Sequence, residues 1–442
     1  MKILLVQPPL PKTLLLPEIL DFGLRFTPLS LGYLAAVLEK NGYEVEILDL
    51  HVLEKSPEDF RREFLNKRFD YDVVGITSTT ISYPNALRLA ALIKNYSPEI
   101  KIVLGGSHVS FTVDDTFQES KDVDIIVIGE GECTLLEIVQ CVEKGMDLER
   151  VPGIAFRKGP QVIKTETRSP ESNLDSLPFP ARHLMPMEKY ATPAIVASRG
   201  CPRQCIFCSA GAFSHGRYRV RGADSIINEL STLDSLENVA FYDNTFSGNY
   251  ERSIEICRAI INKKLEMVWS CELRADTADK YLLELMYQAG CRSIQYGVES
   301  GNEKVLADIK KHITKEQVNK AVDLAQEAKF EVACSFTIGH PSDTQESILE
   351  TADYMKELAR KGVKVVVGIV VPYPGTTIRK NAEVYGLQIH DNEWEKYHPS
   401  RPVISTPYLT KRQIGELYMK IVFDELLSSQ NPTPLLQKGA QL

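Results

Sequence analysis

Three cysteines stand close together near the middle of the chain. Cys201, Cys205 and Cys208 have the spacing C-x3-C-x2-C and directly follow a short apolar run at 194–197. A loop of this length folds around one centre. Three thiolates leave the fourth position of a tetrahedral metal, or of a cubane iron–sulfur cluster, without a protein ligand. The spacing therefore predicts a metal centre with a position open for reaction.

A closed structural zinc site is the alternative interpretation of this loop. Such a site needs a fourth protein ligand, and the first Cys or His after the loop is His215. Because a zinc site would have to recruit a distant residue, the spacing favours the open centre.

Composition limits the class of protein and its partners. The 442 residues are 43% hydrophobic and 25% charged, which is typical of a globular chain of two or three domains. The net charge of −8, without a basic block, argues against a nucleic-acid partner. The first apolar run is too short for a signal peptide, and no apolar stretch approaches the roughly 18 residues of a membrane-spanning helix. Nine cysteines without disulfide spacing predict a reducing, cytoplasmic location.

Strand and helix patterns alternate over residues 1–145. The predicted strands are separated by helical periodicity and cover 2–7, 44–50, 73–77, 101–104 and 123–128. This alternation predicts an α/β fold with a doubly wound parallel sheet, whose ligand crevice lies beyond the carboxyl ends of the strands.

Small and polar residues follow three of these strands, where a backbone would approach a large ligand closely. They are Thr77, Ser78 and Thr79, then Gly105, Gly106 and His108, then Gly129, Glu130 and Gly131. A glycine after a strand is also ordinary turn chemistry, so no single position is decisive.

A second strand–helix repeat runs through residues 191–385. Its six predicted strands cover 194–197, 238–243, 267–272, 293–297, 331–338 and 364–371. Six such units predict a partial (β/α)6 barrel, with working residues at the carboxyl ends of the strands. Residues 146–190 are predicted to be a linker with a possible hairpin. Residues 386–442 are predicted to be a small helical extension, with helices at 391–397 and 411–427.

The strand ends of this repeat supply further candidates. Asp243 could accept from an ammonium group, although Asp-Asn is also a common turn pair. Arg274 could pair with a carboxylate of a ligand or with Glu299. Gly339 and Pro341 form a turn suited to backbone contact, and Tyr373 is a candidate catalytic or substrate-contacting residue.

Together these features resemble the cobalamin-binding radical S-adenosylmethionine (SAM) family. The resemblance rests on the cysteine loop with Phe207 before its last Cys, on W-x4-R ending at Arg274, on G-V-E-S-G around Glu299 and on P-x-P-G-T around Tyr373. It implies a [4Fe–4S] cluster on the three cysteines and cobalamin at the strand ends of the first domain. It also implies a SAM site that includes Phe207, Asp243, Arg274, Glu299, Gly339 and Pro341.

The resemblance implies a methyltransferase as the leading hypothesis. One SAM would methylate cobalamin, and a second would yield the 5′-deoxyadenosyl radical that takes hydrogen from an unactivated carbon of a small-molecule or lipid substrate. A single-electron donor such as flavodoxin or ferredoxin would be the partner. Two alternatives remain open: a radical cyclase or carbon-coupling enzyme in which cobalamin is absent or is not the methyl carrier, and a non-catalytic iron–sulfur or zinc protein.

The first loop departs from cobalamin domains that ligate cobalt through D-x-H-x-x-G. This chain has prolines at 8, 9 and 11 there, so the loop offers no histidine; a similar string at 49–54 follows a different strand and ends in Glu. The apolar insert 14–26 in the same loop could pack against the rest of the fold, or it could form an apolar floor or lid at the corrin or substrate. Cys271 and Cys334 could donate hydrogen inside the barrel or be buried structural thiols, and His215 and His340 are candidate proton carriers.

Overall fold

The computed structural model describes residues 1–11, 26–66 and 69–428. Apart from Phe26, the apolar insert 14–26 lies outside the described residues, as does the polar end from 429 onward. The chain divides into two compact units, and the division falls between Ala191 and Thr192.

The first unit is built on a seven-stranded sheet in the order β2-β1-β3-β4-β5-β6-β7. Strands β1 to β5 are parallel, and β6 and β7 add to β5 as an antiparallel hairpin. The strands are β1 (Lys2–Gln7), β2 (Glu44–Asp49), β3 (Val73–Thr77), β4 (Lys101–Gly105), β5 (Ile125–Val127), β6 (Ile154–Lys158) and β7 (Gln161–Lys164). The predicted doubly wound parallel sheet is confirmed.

Local sequence explains where the helices of this unit begin and end. Ser56 and Asp59 form a capping box ahead of Pro57, and Gly145 ends a helix in the left-handed conformation. The helices are α1 (Leu29–Lys40), α2 (Pro57–Phe60, continued by a π-helical turn Arg61–Leu65), α3 (Tyr83–Tyr96), α4 (Val113–Glu119) and α5 (Glu132–Lys144).

The segment predicted to be a linker belongs to this first unit. The sequence predicts its hairpin but not that β6 pairs with β5 and extends the sheet. Near its end, Tyr190 donates to the buried Asp49 at the end of β2. The segment therefore completes the sheet and core of the first unit.

The second unit contains a six-stranded parallel sheet in the order β15-β14-β13-β12-β11-β8. The edge strands β8 and β15 do not pair with each other, so the barrel is partial, as predicted. The strands are β8 (Ala194–Ile195), β11 (Val239–Phe241), β12 (Trp269–Leu273), β13 (Cys291–Glu299), β14 (Glu331–Ile338) and β15 (Lys364–Ile369); β9 (Ser198–Arg199) and β10 (Arg219–Val220) form a separate pair.

Helices follow the barrel strands in turn and cover the outer face of the sheet. Five of these helices begin after an N-cap residue whose side-chain oxygen accepts from an N–H of the first turn. The N-cap residues are Asn249, Asp279, Asn302, Thr314 and Thr344. The helices are α6 (Ala210–Phe213), α7 (Ala223–Leu230), α8 (Tyr250–Asn262), α9 (Lys280–Gln288), α10 (Glu303–Asp308), α11 (Lys315–Glu327), α12 (Gln345–Arg360) and α13 (Thr377–Lys380).

The side chains of the barrel strands alternate between two environments. On β12 the residues Trp269, Cys271 and Leu273 are buried in the hydrophobic core, whereas Ser270 and Glu272 on the opposite face are not. We call the second face the inner face; it carries Ser270, Glu272, Gln295, Gly297, Ser335 and Thr337.

The alternation decides between the two interpretations of the barrel thiols. Cys271 and Cys334 both lie among the buried core residues, on the strand face opposite the inner face. Both thiols are therefore structural and do not face the barrel interior.

The C-terminal extension is only partly helical. The predicted helix at 391–397 is wrong, since only one 3-10 turn forms there (Trp394–Lys396). A short hairpin of β16 (Gln388–Ile389) and β17 (Ile404–Ser405) precedes the predicted helix, α14 (Lys411–Ser428). Among the described residues, no helix has the length and apolar character needed to cross a membrane.

Candidate active site

The cysteine loop follows β9 and is fixed by backbone contacts from both sides. Ile206 donates its N–H to the carbonyl of Ile309 over 3.1 Å, and Ile378 donates to the carbonyl of Ile206 over 3.0 Å. Gly200 has φ +89°, and a side chain there would overlap the carbonyl oxygen of Arg217. The loop thus enters and leaves the barrel end along one defined path.

The three thiols are free and near one another. Burial raises the pKa of Cys205 and Cys208, while the positive charge of Lys311 acts in the opposite direction on both. Across the part of the chain that the structure describes, no three Cys, His, Asp or Glu side chains are arranged to hold a metal ion. The loop therefore supplies three unused thiols for a cluster, but not a preformed ligand set.

A buried ion pair lies beside the cysteine loop. Lys311 donates to Oε1 of Glu299 over 2.7 Å, and both side chains are only 10% exposed. Thr337 donates to the other oxygen of Glu299 over 3.1 Å. Glu299 has φ +75°, an unusual conformation for a residue with a side chain, at an irregularity in the pairing of β13 with β14. Strain of this kind is typical of functional sites.

Arg274 has a different partner from the one that the sequence suggests. It forms two hydrogen bonds to Asp276, at 2.8 and 3.1 Å, and donates a third to the carbonyl of Lys311. The expectation of a pair with Glu299 is wrong because Lys311 occupies that carboxylate. Asp276 also accepts from Arg203 in the cysteine loop over 3.2 Å. Arg274 and Asp276 therefore connect that loop to the barrel.

Asp243 accepts hydrogen bonds from the segment that leads into the cysteine loop. Its side chain is 3% exposed and accepts from the Ala197 N–H over 3.1 Å and from the Ser198 hydroxyl. Burial raises the pKa of Asp243 to about 6, against the lowering effect of these two hydrogen bonds. Asp243 thus ties the end of β11 to the entry of the cysteine loop.

The turn after β14 brings His340 to Phe207. Asp343 accepts from the N–H groups of Gly339 and His340, both over 2.9 Å, which holds the turn. The rings of His340 and Phe207 stand edge to face with centroids 5.4 Å apart. His340 is fully buried and lies 2.8 Å from the hydroxyl of Thr337; burial lowers its pKa.

The remaining candidates of the second unit are Tyr373, Pro341 and His215. The Tyr373 hydroxyl donates to the carbonyl of Tyr397 over 3.3 Å, and burial raises the pKa of Tyr373. Pro341 is buried beside His340. His215 has φ +52° in an exposed turn.

In the first unit, hydrogen bonds join the ends of β3, β4 and β5. Ser78 donates both its N–H and its hydroxyl to the carbonyl of Gly105, at 2.9 and 3.0 Å. Ser110, which the sequence does not single out, donates to the carbonyl of Gly106 over 2.8 Å and accepts from the N–H of Gly129 over 3.0 Å. Three strand ends are thereby held at one edge of the sheet.

This edge fits a large ligand at its glycines. Gly129 has φ +86°, and a Cβ there would have nothing within 4 Å. Gly106 has φ +101°, and a Cβ there would overlap the carbonyl oxygen of Ser78. Thr77 ends β3, Thr79 bonds to Ser82, and Glu130 and Gly131 lead into α5. At Gly129 the edge therefore presents backbone rather than a side chain, which is compatible with the cobalamin site that the sequence predicts there.

The side chain of His108 lies inside the unit, although its N–H bonds to the carbonyl of Ser78 at this edge. Its ring is 1% exposed, contacts Tyr83 with centroids 4.2 Å apart and places Nδ1 3.2 Å from the Thr80 hydroxyl. The buried histidine therefore packs behind the end of β3, against Thr80 and Tyr83.

Comparison with known proteins decides the family. The B12 binding domain matches residues 19–139 and the Radical SAM superfamily matches residues 195–355. The chain is 32% identical to an uncharacterised methyltransferase of Pyrococcus horikoshii over 95% of this chain and 91% of that protein. The chain belongs to the cobalamin-binding radical SAM family. The enzyme class and the cofactor set of cluster, SAM and cobalamin that the sequence predicts are confirmed at the level of this family.

Two further relatives of this radical SAM protein are informative. It is 27% identical to the anaerobic magnesium-protoporphyrin IX monomethyl ester cyclase of Rubrivivax gelatinosus, over 89% of this chain and 72% of the cyclase. The solved structure of the radical SAM methyltransferase TsrM from Kitasatospora setae, with cobalamin and a [4Fe–4S] cluster bound, has a TM-score of 0.72 and 17% identity, covering 98% of this chain and 89% of that one. That likeness confirms the fold.

Proposed function

We propose that this chain is a cobalamin-dependent radical SAM methyltransferase that acts on an unactivated carbon of a small-molecule or lipid substrate. The observation that carries the proposal is the loop of three free thiols beside the buried Glu299–Lys311 pair, in a chain that also has the glycine-lined strand ends of a cobalamin domain. Its resemblance along nearly its whole length to a relative named as an uncharacterised methyltransferase supports methyl transfer.

The residues have separate parts in this proposal. Cys201, Cys205 and Cys208 would hold the cluster, and Lys311 and Arg274 would keep positive charge beside Cys205. When bound, the cluster with SAM supplies the radical that takes hydrogen from the substrate, and cobalamin supplies the methyl carrier. Glu299 orients Lys311, and Asp243 holds the loop entry. A flavodoxin or ferredoxin would deliver single electrons, and the free cysteines suit a reducing cytoplasm.

Products from labelled SAM test the proposal. The anaerobic, cluster-containing protein is incubated with SAM that carries a deuterated methyl group and with a reductant, and nucleoside products are measured by mass spectrometry. We expect 5′-deoxyadenosine from the wild type and none from Cys205→Ala. A protein that contains the cluster but does not cleave SAM would contradict radical chemistry.

Ring formation is the second candidate, favoured by the resemblance to the cyclase. The two reactions differ in their products from SAM. A methyltransferase releases S-adenosylhomocysteine as well as 5′-deoxyadenosine, whereas a radical cyclase that transfers no methyl group releases only 5′-deoxyadenosine. Formation of 5′-deoxyadenosine without any S-adenosylhomocysteine, when substrate is converted, would support the cyclase.

A further inference from the structure

A small cavity of about 170 Å³ lies in the first unit. Leu4 on β1 and Leu48 on β2 are buried and form its apolar side. Leu4 stands opposite Glu46, in the middle of the two strands. Its neighbours Ile3 and Leu5 belong to the hydrophobic core on the other face of the sheet. The cavity therefore lies against the sheet face, and not at the carboxyl edge where cobalamin is expected.

Three aromatic side chains wall the cavity: Phe64, Phe69 and Tyr71. The buried Phe60 stacks on Phe64 with ring centroids 5.7 Å apart and meets Phe69 edge to face at 5.8 Å. Phe69 in turn meets Tyr71 at 4.8 Å. Phe64 belongs to the π-helical turn Arg61–Leu65, a distortion that is frequent at functional sites. Because the rings hold one another, the wall is formed before any ligand binds.

Two carboxylates line the same cavity. Glu46 comes from β2 and Glu63 from the π-helical turn. Glu46 accepts from the Tyr71 hydroxyl over 2.7 Å and lies 3.0 Å from the ammonium of Lys2. Glu63 accepts from Lys55 over 3.0 Å. The carboxylates therefore bring negative charge to the cavity, while their oxygens already have hydrogen-bond donors.

The charge of Lys2 does not belong to Glu46 alone. The Lys2 ammonium is shared with Glu44 and Asp70, at 3.7 and 3.5 Å. It also stands 4.8 Å from the centroid of the Tyr71 ring, so this ring already attracts a cation. A second cation on the cavity side would meet both an aromatic wall and a carboxylate that shares its lysine with two others.

The lining indicates which kind of cation fits. Aromatic faces attract cations through the ring quadrupole, and quaternary ammonium groups are recognised in this way. A primary ammonium has three N–H groups that need acceptors, whereas the carboxylate oxygens here are already engaged. A quaternary ammonium carries charge without N–H groups, and its methyl groups can contact rings and leucines. Since a cavity of about 150 Å³ holds benzene, the available volume suits a trimethylammonium group.

We propose that this cavity binds the quaternary ammonium group of a small organic cation. Phe64, Phe69 and Tyr71 supply the aromatic faces, and Glu46 and Glu63 supply the negative charge. The site lies in the first unit and uses none of the residues assigned to the cluster, to SAM or to cobalamin.

Calorimetry on the full-length chain tests the proposal with three probes. Choline carries a trimethylammonium group, 3,3-dimethylbutan-1-ol is its uncharged isostere, and 2-aminoethanol has the same hydroxyl end with a primary ammonium. We expect choline to bind at least roughly 10-fold more tightly than either of the others, the effect of a desolvated cation–π contact.

Two variants locate the binding. Tyr71→Leu removes one ring, and Glu63→Gln removes one charge with little change of shape. Each has a matched control. Tyr96→Leu removes a 48% exposed ring that touches Phe69 from outside the cavity lining, and Glu58→Gln removes an exposed charge on α2. Choline affinity should fall roughly 5- to 10-fold in Tyr71→Leu and in Glu63→Gln and stay unchanged in both controls.

The contrary outcomes are equally specific. Absence of saturable choline binding to the wild type overturns the proposal, and so does equal affinity for 3,3-dimethylbutan-1-ol. Equal affinity for 2-aminoethanol contradicts the quaternary class, and an unchanged affinity in Glu63→Gln, or an equal loss in Glu58→Gln, places the binding elsewhere. Circular dichroism checks the fold of each variant. Should Tyr71→Leu not fold, the partly exposed Glu63 still decides.

Discussion

Replacement of Lys311 by Met should destabilise the second unit strongly. At 2.7 Å and an effective dielectric constant of about 20, the attraction between Lys311 and Glu299 is about 6 kcal/mol before desolvation is counted. Removing the lysine leaves a carboxylate that is only 10% exposed with Thr337 as its remaining donor. The free energy of unfolding should fall by about 3–5 kcal/mol.

Lys364→Met is the matched control. Lys364 and Glu331 are also 2.7 Å apart, but their side chains are 38% and 52% exposed. Solvent screens this pair, so its loss should cost less than about 1 kcal/mol. Since distance is the same in both pairs, the comparison isolates the effect of burial.

The assay is urea unfolding of the cluster-free chain followed by tryptophan fluorescence. Both tryptophans, Trp269 and Trp394, lie in the second unit, so the signal reports that unit. Adding Glu299→Gln to Lys311→Met removes the unpaired charge and should restore at least half of the lost stability. Equal costs for Lys311→Met and Lys364→Met, or no recovery in the double variant, would refute the reasoning.

Three other predictions follow from single positions. Gly106→Ala should lower the free energy of unfolding by about 2 kcal/mol more than Gly42→Ala, because both glycines have positive φ but only a Cβ at Gly106 meets backbone. Urea unfolding followed by circular dichroism measures both losses, and equal losses would contradict the prediction. Because the pKa of Asp243 is raised to about 6 in the folded state, its stabilising effect is complete below the unfolded pKa and is lost as pH rises through 6. Relative to Asp243→Asn, the wild type should lose about 2 kcal/mol between pH 4 and 7, and a flat difference would count against it. Cys271→Ala and Cys334→Ala should still form 5′-deoxyadenosine from SAM, and loss of that product with the cluster intact would show that a thiol takes part.

The strands and their ends could be predicted because apolar runs alternate with helical periodicity in both units. The strand order of the first sheet was not accessible in this way, and neither was the addition of β6 to β5, since pairing joins residues that are far apart in sequence. The failed helix at 391–397 also depends on tertiary contacts, since Tyr397 is buried, donates its hydroxyl to the carbonyl of Asp391 over 2.7 Å and accepts at its own carbonyl from the Tyr373 hydroxyl.

The cysteine loop was predictable from spacing alone, but the charges around it were not. Lys311 lies in a polar run with Lys310 and His312 that reads as a solvated turn, yet it is the partner of Glu299. Arg274 has its partner two residues along, in Asp276. Ion pairs depend on tertiary proximity, and one sequence offers no signal that separates a buried lysine from its exposed neighbours.

The composition of the anaerobically purified protein tests the central claim most directly. The full-length chain is prepared with cobalamin supplied, and its visible spectrum and iron content are compared with those of Cys201→Ala. We predict corrin bands together with about four irons per chain, and loss of the iron but not of the corrin in the variant. Zinc in place of iron, or iron that persists in Cys201→Ala, would contradict the account.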